Sequence, residues 1–126
     1  GPVMLSWPDV HDAGTSAEWA YNVVIHEFAH VLDMNDGEAD GVPPLADAAA
    51  HAAWVECIDD EFERFCRAVD RGAEVLLDPY GAEGIDEFFA VAVEAFFVSA
   101  EAMRSAHPRL YAMFTGYFRQ DPAATG

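Results

Sequence analysis

Residues 23–32, VVIHEFAHVL, decide how the rest of the chain is read. His26 and His30 are four residues apart, so on a helix they share one face and both imidazoles can reach a single ion. Glu27 follows His26 and points beside that ion, within reach of a water held there. Zinc at such a centre takes imidazole nitrogen at about 2.1 Å and keeps one position open for water. The ion lowers the water's pKa, and the carboxylate takes the proton and passes it to the leaving amine. Five residues alone form a common pattern, often no more than polar groups on a helix. The flanks add weight, because Val23, Val24 and Ile25 before it and Val31 and Leu32 after it predict a buried helix. Two histidines and a glutamate without partners on a buried helix would cost several kcal/mol.

Outward from this stretch the pattern is mostly helical. Thr15 and Glu18 match a capping box, and Trp19, Ala20, Val23, Val24, Phe28 and Val31 keep helical spacing to about Met34, with Gly37 as the stop. Residues 35–44 (NDGEADGVPP) form an acidic loop, and Leu45 leads into a second helix. Ala50, Trp54, Ile58, Phe62, Phe65 and Val69 make its core stripe and Gly72 closes it. A loop over residues 77–84 precedes a third helix, residues 86–99 (DEFFAVAVEAFFVS), with Phe88, Phe89, Ala92 and Phe96 buried. Pro108 suits the first turn of a last helix running to residues 117–119. Residues 2–7 (PVMLSW) read as a short strand. A lone strand needs a partner, from residues 75–77, from chain upstream or from a bound peptide. The expected class is therefore mostly α (α+β), one domain over residues 1–126.

Two histidines require a third protein ligand, and residues 31–45 contain no further histidine. Glu87 and Glu94 are the leading candidates, seven residues apart on one face of an otherwise apolar helix. Carboxylates in such a run ask for a cation. His11, in a loop, His51, on a surface-like helix, and His107, before Pro108, compete less well.

The net charge of −17 comes from 23 acids against 6 bases, a surface that repels nucleic-acid backbones and anionic membranes. A cation, a basic segment or a neutral peptide is the better partner. Cys57 and Cys66 lie on one helix, roughly 13 Å of rise apart and half a turn out of phase, too far to bridge. Reduced cysteines favour an intracellular, cytoplasmic location. No apolar run reaches membrane-spanning length and no signal peptide opens the chain. The first residue is Gly1 rather than Met, so an upstream part of a longer protein, or a processed tag, is expected.

The segments VVIHEFAHVLDMNDGEADGVPPL, Tyr80-Gly81, EFFAVAVEAFF and YFRQDP resemble the Mlc titration factor A peptidases, bacterial zinc proteins of the gluzincin type. The likeness runs from residue 2 to Pro122 with the motifs in order. The catalytic end of anthrax lethal factor is distantly similar, through an HEFGH helix, a Tyr-Gly step and an EFFAEAF helix. The resemblance implies a zincin-like peptidase domain holding one Zn²⁺ per chain. Its third ligand would be the glutamate opening EFFAVA, here Glu87. Tyr80, seven residues before Glu87, would donate a hydrogen bond to the oxyanion. Glu94 and Asp33 would stand behind the ligands and orient the histidines. It further implies aminopeptidase-like activity on small substrates, with a second role in binding the transcriptional repressor Mlc. The resemblance also implies a substantial segment ahead of the zinc helix, expected outside residues 1–126. Residues 2–7 resemble the edge strand along which zincins lay an extended substrate.

Overall fold

The computed structural model describes residues 13–34 and 40–125, with side chains over 20–34 and 40–124. Among the described residues six α-helices follow one another: α1 (Ala13–Asp33), α2 (Ala48–Asp70), α3 (Ile85–Val98), α4 (Ala100–Ala106), α5 (Pro108–Phe118) and α6 (Pro122–Thr125). A short 3₁₀ turn, Pro79–Glu83, precedes α3. No strand occurs among the described residues. The strand expected at residues 2–7 and the Gly37 stop lie outside them, and the proposed strand partner, residues 75–77, is irregular.

The centre of the molecule is α3. Phe88, Phe89, Ala90, Val91, Ala92, Val93 and Phe96 are all buried, so the helix is apolar on nearly every side. Such a helix has to be enclosed, and α1, α2, α4, α5 and the 3₁₀ turn all pack on it. Trp54 of α2 stacks on Phe114 of α5 with ring centroids 5.7 Å apart, and Phe96 stacks on Phe118 at 5.6 Å. Each fully buried aromatic of this set contributes about 1.5–3 kcal/mol of transfer free energy.

Local signals position the helices. Asp47 caps α2, its Oδ1 accepting the Ala50 N–H at 2.7 Å, a contribution of about 1 kcal/mol. At the other end Gly72, with φ +71°, takes the left-handed conformation while the Gly72 N–H bonds Val69 O and the Ala73 N–H bonds Ala68 O. This paired closure satisfies carbonyls that the helix itself leaves open. Pro108 occupies the first turn of α5, as its fixed φ favours. The chain from 99 to 107, which carries no clear periodicity, forms the additional short helix α4.

Two expectations about α1 need correcting. The helix is already formed at Ala13, so Thr15 lies inside its first turn rather than at its cap. The valines around the histidines do not bury it all round. Ile25 and Ala29 face α3, but Val24 is 64% and Val31 67% exposed, with Tyr21, Phe28 and Met34 exposed beside them. Packing on α3 covers one stripe of α1, and the other apolar stripe, with Tyr21, Val24, Phe28, Val31 and Met34, is about half exposed or more.

Candidate metal centre

His26 and His30 sit at the margin of the α1 face that packs on α3, each about one-fifth exposed at the side chain. The rings meet edge-on with centroids 4.9 Å apart. Across the interface, Glu87, Val91 and Glu94 form one stripe of α3 at i, i+4 and i+7, the spacing that turns all three toward one side. Packing of Ala29 against this surface brings the two carboxylates to the imidazoles.

The resulting contacts are specific. Glu87 Oε1 lies 3.2 Å from His26 Nε2 and 3.0 Å from His30 Nε2, and Glu94 Oε2 lies 3.4 Å from His26 Nδ1. The ligand atoms of His26, His30 and Glu87 all fall within 4.8 Å of one another. Of the two open candidates for the third position, Glu87 is the one that reaches both histidines, and Glu94 stands behind His26. When the Nδ1–H of His26 donates to Glu94, its Nε2 lone pair faces the Glu87 carboxylate. Two electron-rich atoms so placed call for a proton or a metal cation between them. The hydrogen bond to Glu94 raises His26 above its ordinary pKa of 6.5, burial opposes this, and Glu87 adds to the rise. A cationic species at this point is what the carboxylates favour.

Tyr80 reaches the centre from the 3₁₀ turn. Asp78 caps that turn by accepting the Tyr80 N–H at 3.0 Å, and the Gly81 N–H bonds Asp78 O. A Cβ on Gly81 would stand 2.8 Å from Val91 Cγ2, so only glycine lets the turn settle this closely on α3. The Tyr80 hydroxyl consequently donates to Glu87 Oε2 at 3.3 Å. The negative charge of Glu87 raises the phenol's pKa, with further contributions from desolvation and the hydrogen bond itself. Tyr80 therefore keeps its proton at neutral pH.

Glu27 is half-buried on the side of α1 next to His26 and has no hydrogen-bond partner among the described residues. Asp33 is placed differently from the histidine-orienting position expected for it. It is fully buried, and its Oδ1 accepts the Gly41 N–H at 2.6 Å, while Trp54 Nε1 donates to Gly41 O at 2.8 Å. Asp33 thereby ties the end of α1 to α2 through the left-handed Gly41. Its Oδ2 is buried without a partner among the described residues, and burial lifts its pKa to about 6 against the opposing Gly41 hydrogen bond. Among the weaker ligand candidates, His51 is exposed on α2, His107 pairs with Glu61 at 3.3 Å far along the chain from α1, and His11 lies outside the described residues. The Tyr80–Glu87 contact could be anticipated only from the family likeness. The Asp33–Gly41–Trp54 tie carried no signal beyond an aspartate and a glycine eight residues apart.

A family model described as glucose-regulated metallo-peptidase M90 matches residues 1–119. The chain is 39% identical over 129 residues to Mlc titration factor A of Edwardsiella ictaluri, covering 97% of this chain and 47% of the relative. It is also 39% identical over 127 residues to Mlc titration factor A of Yersinia enterocolitica, covering 98% and 46%. An uncharacterized protein of Synechocystis is 33% identical over 124 residues, covering 97% and 44%. The chain thus spans less than half the length of these curated relatives.

Proposed function

Since the chain belongs to the glucose-regulated metallo-peptidase M90 family and is similar to Mlc titration factor A, we propose that it is a zinc-dependent peptidase with Glu27 as general base. The observation that carries this reading is the convergence of His26, His30 and Glu87 on one point, with no fourth protein ligand among the described residues. Two imidazoles and one carboxylate are a ligand set of catalytic zinc sites, whereas structural sites close with four protein ligands. Zinc there would supply Lewis acidity, polarising a carbonyl and making water a nucleophile near neutral pH.

The chain's own residues divide the remaining work. Glu27, unencumbered by other hydrogen bonds, takes the proton of the attacking water and delivers it to the amine leaving group. Tyr80, kept protonated by Glu87, donates to the oxyanion that develops on the scissile carbonyl. Glu94 accepts from His26 Nδ1, which fixes the tautomer and turns Nε2 toward the centre. Asp33 holds the frame through Gly41. Zincin-like architecture and a cytoplasmic location belong to the same proposal. No described helix is long and apolar enough to cross a membrane.

Metal analysis with peptide hydrolysis by wild type and Glu27→Gln tests the base. Retained zinc with a loss of about 10²–10⁴-fold in rate is expected for removal of a general base. Equal activity in the two proteins would sink the assignment.

The name of the Edwardsiella and Yersinia relatives favours a second reading. In it the centre is intact but the physiological task is to bind a transcriptional repressor such as Mlc. Repressor pull-down with Glu27→Gln separates the two: sequestration predicts undiminished binding and undiminished effect in cells.

A further inference from the structure

A groove of about 660 Å³ runs between α2 and α5, bordered by residues 44–46. No residue of α1, α3 or the 3₁₀ turn lines it, so it is separate from the metal centre. Its buried lining is Trp54 and Cys57, and Tyr117 meets the Trp54 ring edge-on with centroids 5.4 Å apart. Arg109, Met113 and Gly116 share one face of α5 at i, i+4 and i+7, and Arg119 stands at the end of that helix.

Two residues of this face are poor choices for α5 itself. Gly116 lies in the last turn without a positive φ, so its backbone makes no use of glycine's freedom. A Cβ there would meet nothing within 4 Å, so no neighbour among the described residues demands its absence. Alanine would hold the helix better. Three residues on, Arg119 takes the left-handed conformation, φ 56° and ψ 40°, where helices commonly end on glycine. Among the described residues no other non-glycine has a positive φ. Glycine therefore stands where alanine would serve, and arginine where glycine would. Local conflicts of this kind collect at functional sites.

The chemistry of the groove says which partner would resolve them. Its charged lining is Arg109 and Arg119, two of the chain's six bases, against Glu56, on a molecule of net charge −17. Arg109 donates to Asp60 at 2.9 Å, whereas Arg119 has no hydrogen bond or ion pair among the described residues. Gly116, facing Ala50 and Ala53 of α2 in the lining, leaves room for another main chain to come close. A helix with an apolar face and a carboxylate beside it matches both features.

We propose that the α2–α5 groove docks an amphipathic helix of a partner protein, its apolar face over Trp54 and Gly116 and a carboxylate on Arg119. The site goes beyond both readings of the metal centre and needs neither. A helix is favoured over a small carboxylic acid because Pro44, Ala53, Gly116 and Arg119 are exposed along the groove, where a small-molecule site would enclose its ligand.

The test is fluorescence anisotropy on the full chain carrying Glu27→Gln, which under the peptidase reading cleaves no probe. The probes are labelled helical peptides of about 15 residues, the length at which isolated helices begin to hold. Each carries a leucine stripe at i, i+3, i+4 and i+7, flanked by glutamates, glutamines or lysines. The net charge of the chain would by itself rank lysine first and glutamate last. The groove predicts the reverse, with glutamate about tenfold tighter than glutamine, the worth of one charge-assisted hydrogen bond, and lysine weakest. Arg119→Gly and Gly116→Ala should each weaken the glutamate peptide about tenfold while raising the urea midpoint of the free chain, since each suits the helix better. A merely structural role would not set stability against binding in this way. Lysine ranked first, no binding by any peptide, binding lost when zinc is removed from the folded chain, or variants of unchanged affinity would each overturn the docking site. So would decanoate bound in the groove without the helix, which assigns it to a small acid, or self-association abolished by Gly116→Ala, which assigns it to a second copy.

Discussion

Glu87 Oε1 sits within 3.2 Å of both His26 Nε2 and His30 Nε2, and this shared oxygen defines the chemistry of the centre. Its negative charge, with that of Glu94, favours a proton on His26, whose pKa is raised above 6.5. A metal must displace that proton, so uptake is a competition. The sign follows directly: below the raised pKa the imidazolium predominates and opposes binding, and above it the neutral ring is available. Apparent zinc affinity should therefore rise with pH through the region above 6.5 and then level off, with proton release on binding. Calorimetric titration in buffers of different ionisation enthalpy checks this. Glu94→Gln removes the carboxylate whose hydrogen bond does most to hold a proton on His26 and should move the rise to lower pH. An affinity independent of pH between 6 and 8 would contradict the shared-charge account.

At the scale of elements, the 3₁₀ turn at Pro79–Glu83 sets Tyr80 over Glu87 only because Gly81 lies directly on α3. Gly81→Ala puts a methyl 2.8 Å from Val91 Cγ2 and 3.3 Å from the Phe88 backbone, so the turn must lift or the helix must shift. Overpacking of this kind costs about 1–3 kcal/mol. Urea unfolding should register that loss, and peptide hydrolysis should fall further than stability explains, because Tyr80 moves off the carboxylate with the turn. A variant as stable as wild type would show that the turn has slack. The pairing of α1 with α3 is the companion case: Ala29, fully buried between His26 and His30, is small enough for the helices to approach until imidazole meets carboxylate.

For the whole molecule, the uneven burial of α1 separates two kinds of apolar residue that composition treats alike. Ile25 and Ala29 belong to the core, whereas Val24 and Val31 lie on a stripe more than half exposed. Val24→Ser and Val31→Ser should change unfolding free energy by no more than about 0.5 kcal/mol, as expected away from packed sites. Ala29→Leu should instead destabilise strongly, by the overpacking argument. Denaturant titration of the three variants distinguishes the stripes. A large loss from either serine variant would mean that the outer stripe is covered.

What the amino-acid order determined by itself was local: helix periodicity, the Pro108 start, the Gly72 closure and the apolar run of α3 that had to become the centre. The same holds for the pairing of His26 with His30, since four residues on a helix share a face whatever surrounds it. The resemblance to the peptidase family added Glu87 and Tyr80, which spacing left open against Glu94. Tertiary structure decided the rest, because it depends on which stripes of two helices meet. Only the packing of α1 on α3 brings the Glu87 oxygen to both imidazoles and leaves Glu94 to one. Only the approach of the 3₁₀ turn gives Tyr80 its partner. The burial of Asp33 against Gly41, and the exposure of Val24 and Val31, are likewise properties of neighbours rather than of pattern. A hydrophobic residue announces that it can be buried, but whether it is buried depends on what packs against it.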